Sequence, residues 1–154
     1  NIFIITVGLS EVWYNKENNQ VFWKAIPANK FNEKKHGFKL STVEENTYNL
    51  HQIYSIIKKY IPNASVIYTL SPIPLMATFR PQSCITANSV SKSILRVALD
   101  NVMSKNIDKK DLYYFPSYEI TKEYFTDPFK DDNRHLKDEY ILKIMKIFEE
   151  NYCC

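Results

Sequence analysis

A chain of 154 residues with 45% hydrophobic and 14% aromatic content can bury a sizeable core, which excludes a disordered class. The net charge of +3 comes from scattered basic residues such as Lys34, Lys35, Lys109 and Lys110 mixed with acids, with no basic stripe, so no nucleic-acid partner is expected. No apolar run approaches a membrane span. The three cysteines, Cys84, Cys153 and Cys154, give neither a disulfide framework nor a metal-ligand spacing.

Ile2–Val7 is a continuous β-branched run and predicts a strand covered on both faces, ended by Gly8. It opens the sequence in mid-strand, and a piece of the domain is expected upstream. Residues 14–40 read as a long polar, irregular stretch in which Val21–Ile26 forms at most a short hairpin arm. Ser41 and Thr42 each stand three residues before a glutamate, a doubled capping-box signal. Val43, Leu50, Ile53, Tyr54, Ile57 and Ile61 then recur at helical spacing up to Pro62. Ala64–Leu70 predicts a second strand, halted by Ser71-Pro72-Ile73-Pro74. A second helix is predicted from Asn88 or Ser89, a third strand at Leu112–Phe115, and a last helix over Lys137–Glu150. Strand and helix alternate three times, which implies right-handed crossovers and a parallel sheet with helices on both faces. Sites in such sheets gather at the carboxyl ends of the strands, here after Val7, Leu70 and Phe115.

The residues at those ends are the candidates for chemistry. Asp132 and His135 are spaced so that a carboxylate can meet one ring nitrogen, fixing the tautomer and stabilising the imidazolium, while the other nitrogen takes a hydroxyl proton. The same spacing suits an Asp132 that caps the last helix beside a surface histidine, and Asp131 is the fallback partner. Ser10, beside Gly8, either lines an oxyanion hole or serves as a turn serine. Glu11 and Trp13 frame a pocket, although Trp13 equally suits the core. Ser71 reads as turn chemistry before Pro72, with no adjacent base to make it a nucleophile. Asn88, Lys92 and Arg96 share one helix face. Asn88 either caps the helix or reaches substrate, and Lys92 and Arg96 are expected to be solvated or paired with acids. Tyr118 and Glu119 either contact substrate or, for Glu119, hold a loop. No metal cluster, phosphate loop or cofactor motif is present.

Taken together, Ser71-Pro72-Ile73-Pro74-Leu75, Ser91-Lys92 with Leu95-Arg96, and Phe115-Pro116-Ser117-Tyr118-Glu119 resemble the GSCFA family of the SGNH-hydrolase superfamily over nearly the whole chain. The resemblance implies a three-layer, flavodoxin-like α/β/α fold. It also implies a serine ester hydrolase or acyltransferase acting on small-molecule or carbohydrate esters, with Asp132 orienting His135 as base. By the same resemblance, the family motif with its nucleophilic serine lies upstream of residue 1. Gly8-Leu9-Ser10-Glu11 stands where the superfamily has Gly-x-Asn-Asp, with Ser10 replacing the oxyanion-holding asparagine. The competing expectation is a non-catalytic glycan-binding or interaction module. The odd cysteine count leans toward a reducing, cytoplasmic location.

Overall fold

A computed structural model describes residues 1–106 and 108–153. Its centre is a parallel sheet of β1 (Ile2–Val7), β5 (Ser65–Leu70) and β6 (Leu112–Phe115), in the order β1-β5-β6. Ile2 pairs with Ser65 and Val7 with Leu70, so both strands end at the same level. Three further strands, β2 (Glu11–Asn15), β3 (Val21–Phe22) and β4 (His36–Leu40), make a separate antiparallel sheet in the order β3-β2-β4. The stretch read as irregular thus holds parts of three strands and a short 3-10 turn, Ala28–Lys30, with irregular chain over the rest. Its strands are short and aromatic, and a cluster of edge-to-face and tilted rings around Trp13, Phe31, Phe38 and Phe79 supplies cohesion that periodicity cannot reveal. Val21–Phe22 alone forms the hairpin arm expected over Val21–Ile26.

Helix α1 (Val43–Tyr60) starts with a complete capping box. Thr42 accepts from the Glu45 backbone and Glu45 returns the bond to the Thr42 N–H. The second half of the doubled signal is used differently, because Ser41 Oγ donates to the Ser10 carbonyl. Helix α2 (Cys84–Lys105) begins four residues before Asn88, capped by Ser83. The extra turn was hidden because Cys84-Ile85-Thr86-Ala87 has no apolar periodicity. After β6 come α3 (Ser117–Glu119), a π-helical turn over Ile120–Tyr124, and finally α4 (Asp138–Tyr152).

Helices α1 and α2 bury Leu50, Tyr54, Leu95 and Leu99 against Val66, Tyr68 and Leu70 of the sheet. On the other face, Ile144, Phe148 and Tyr152 of α4 pack on Ile67 and Phe115. The expectation that β1 is covered on both faces fails. It is an edge strand, and Ile2 and Ile4 stand 63% and 55% exposed because α4 lies over β5 and β6 instead. Cys84 and Cys153 are free thiols, and Cys154 lies outside the described residues. Among the described residues there is no metal-ligating cluster, and no helix is long and apolar enough to cross a membrane.

Candidate active site

The loop between the π-helical turn and α4 is closed by a bridge of Phe129 to Leu136 and by Lys130 N–H donating to His135 O at 2.7 Å. At its tip Asn133 takes φ of 52°, a left-handed conformation that asparagine tolerates. Asp132 shapes this tip. One carboxylate oxygen accepts from the backbone N–H groups of Arg134 (3.0 Å) and His135 (2.9 Å), and the other meets His135 Nδ1 at 2.5 Å. The ring contact first, and the two backbone bonds next, hold its carboxyl down at about 2. Asp132 does not cap α4, which starts at Asp138. With Nδ1 engaged, Nε2 is the ring nitrogen left for a reacting group.

Asp132 and His135 open onto a cavity of about 570 Å³ at the carboxyl ends of β1 and β5. Ser71, Pro72 and Ile73 form one wall, Leu136, Ile141 and Met145 another, and the hydroxyl residues Thr6, Thr69 and Ser117 also line it. A slightly larger hollow of about 630 Å³ beside α4 is lined by Ile2, Ile67, Tyr113 and Tyr152, and no acid–base pair lines it. Ser117 Oγ donates to Leu70 O at 2.9 Å, and Thr69 Oγ1 lies 2.7 Å from the same Oγ. A hydroxyl has one proton, so Thr69 is the donor of that second bond.

Of the remaining candidates, Ser71 lines this cavity and the others lie away from it. Ser10 is fully buried. Its N–H and Oγ both donate to Ser91 Oγ, at 2.8 and 2.9 Å, which spends its proton on packing β2 against α2 rather than in the cavity. Gly8 takes no left-handed conformation, and a Cβ there would meet Ser71 Cβ at an ordinary 3.8 Å. Its carbonyl is what matters. Ser71 does line the cavity, with its Oγ accepting from Ile73 N–H at 3.2 Å. Asn88 neither caps α2 nor lines the cavity; its Oδ1 accepts from Leu75 N–H at 3.0 Å and pins the loop after β5. The single hydroxyl proton of Thr78 is shared between the two carboxylate oxygens of Glu11, at 2.8 and 3.0 Å. Glu119 holds its segment, accepting from Arg96 Nε at 2.7 Å and from the Tyr114 hydroxyl, while Tyr118 packs on the core. Arg96 is thus paired with acid, as expected.

Lys92 is not solvated or acid-paired. It is 2% exposed, and its ammonium donates to the carbonyls of Gly8 (2.9 Å), Ser71 (2.7 Å) and Ile73 (2.8 Å). Burial pushes its pKa down to about 8, while the three acceptors match the three protons of the charged form. The signal was present: Lys92 lies three residues before Leu95 and seven before Leu99, on the stripe that buries α2.

No curated protein and no solved structure matches the chain. The sequence model of the GSCFA family matches residues 1–148, so this chain belongs to the GSCFA family.

Proposed function

We propose that this chain carries the acid–base half of an SGNH-type serine ester hydrolase on a three-layer, flavodoxin-like domain. His135 Nε2 takes the proton of a serine hydroxyl as it attacks an acyl ester, and Asp132 holds the ring by Nδ1 and stabilises the imidazolium. The nucleophile of this proposal is a serine that precedes Asn1 in the full-length protein. One observation carries the reading: the carboxylate–imidazole contact of 2.5 Å faces a cavity at the carboxyl ends of parallel strands. The free edge of β1 beside that cavity is consistent with a further strand next to it.

A second reading, a non-catalytic glycan-binding or interaction module on the same fold, is favoured by how nearby serines are engaged. Ser10 donates to Ser91, and Ser71 accepts from its own loop. One experiment separates the two. In the full-length protein His135→Ala should lower hydrolysis of a small aryl acetate by about 10²–10⁴-fold with the fold intact by circular dichroism. Unchanged turnover removes the hydrolytic reading and leaves the binding module.

A further inference from the structure

The antiparallel sheet and the segment after β5 enclose a second cleft of about 590 Å³. Both tryptophans of the chain line it. Trp13 forms the floor, with ring centroids 5.2 Å from Phe38 and 4.8 Å from Phe79. Trp23 stands at the rim, 88% exposed, with Lys24 Nζ 4.8 Å from its ring centroid. Folding does not explain the solvation of so large a ring. Features that stability does not favour mark a surface kept for recognition.

Besides Lys24, the cleft carries two further charges without ionic partners among the described residues. Glu11 is held only by Thr78 Oγ1, and Arg134 only by a long 3.4 Å bond from Nε to Pro74 O. Arg134 is the neighbour of His135, and Pro74 follows the Pro72-Ile73 wall of the first cavity. The cleft and the Asp132–His135 cavity are therefore flanked by the same two pieces of chain.

We propose that this cleft is the subsite for the non-reacting sugar of the substrate, a pyranose ring. A pyranose has an apolar C–H face, which suits an aromatic surface, and hydroxyls at its edge, which both accept from a guanidinium and donate to a carboxylate. An alkyl chain would fill the aromatic part but would desolvate Glu11 and Arg134 with nothing in exchange. The assignment rests on the hydrolytic reading only in placing the ester at His135; ring binding itself does not need catalysis.

Calorimetric titration of the full-length protein tests it with cellotriose, xylotriose, mannotriose and chitotriose, and with hexanoate in parallel. At least one trisaccharide should bind saturably. Trp23→Ala, at an exposed position that the fold does not need, should weaken that binding at least tenfold, and His135→Ala should leave it within twofold. Saturable binding of hexanoate alone, no binding of any trisaccharide, or trisaccharide affinity unmoved by Trp23→Ala each overturns the proposal. Sugar binding in a protein with no esterase activity upholds the cleft and removes only the hydrolytic reading.

Discussion

Asp132 has two duties, and a single substitution separates them. Its backbone bonds shape the loop tip, and its second oxygen orients the imidazole. Asn at 132 keeps an acceptor for the backbone but presents an amide to the ring. In the proposed mechanism Asp132→Asn in the full-length protein should cut kcat by about 10³–10⁴-fold with little change in KM, read from steady-state kinetics. The sign of the pH effect is also set. A carboxyl held at about 2 favours the folded loop above its ordinary value of 3.8, and that contribution fades as pH falls from there through 2. Activity lost between pH 4 and 6 must therefore come from another group, and a carboxyl-carbon NMR titration of Asp132 should show no inflection in that range. Lys92 behaves oppositely. Its folded value of about 8 lies below the ordinary 10.5, so between these pH values the unfolded chain holds a proton that the folded chain has released. Its linkage contribution thus rises from pH 8 to 10.5, and the buried charge exacts its full cost below 8. Lys92→Met leaves three carbonyls without their donor and should cost about 3 kcal/mol at pH 7, read from the urea midpoint. The stability of the wild type relative to this variant should increase between pH 8 and 10.

At the level of elements, the parallel core was legible because its signals are local. β1 and β6 fall on the predicted ranges, β5 loses only Ala64, and α1 starts at the predicted capping box. Thr42→Ala should cost about 1 kcal/mol by thermal or urea unfolding, the usual worth of such a cap. The second sheet was not legible, since two- to five-residue strands with no alternating pattern derive their order from aromatic contacts distant in sequence. For the site, the Asp132–His135 pair was readable from spacing, whereas the burial of Ser10 and the anchoring role of Asn88 depend on α2 crossing behind the strand ends. Gly37 is a local constraint of the same sheet. A Cβ there would come within 2.3 Å of the Tyr14 ring, so Gly37→Ala must displace the end of that side chain.

At the scale of the whole molecule, β1 and β6 are both outer strands of the sheet but are covered unequally. β6 is sheltered by α4, through Phe115 against Phe148 and Tyr152, whereas β1 offers an unpaired backbone edge next to exposed Ile2 and Ile4. Such an edge is a template for another strand. Residues 1–154 produced alone should self-associate, and Ile4→Lys should shift the population toward monomer in sedimentation velocity, because a charge on the edge opposes pairing. A wild-type sample that stays monomeric and unfolds cooperatively would show that this edge needs no covering.

The hydroxyl chain beneath the cavity has a direction. Thr69 gives its proton to Ser117, and Ser117 gives its own to Leu70 O, so neither proton is free for the cavity. That part of the cavity lining offers lone pairs to whatever sits above it and withholds hydrogen. An acyl oxygen placed beside Thr69 and Ser117 would find no donor in them, and the hydroxyls on that wall with protons to give are those of Thr6 and Ser71. In the proposed mechanism these two buried alcohols thus turn the developing negative charge of an ester away from themselves.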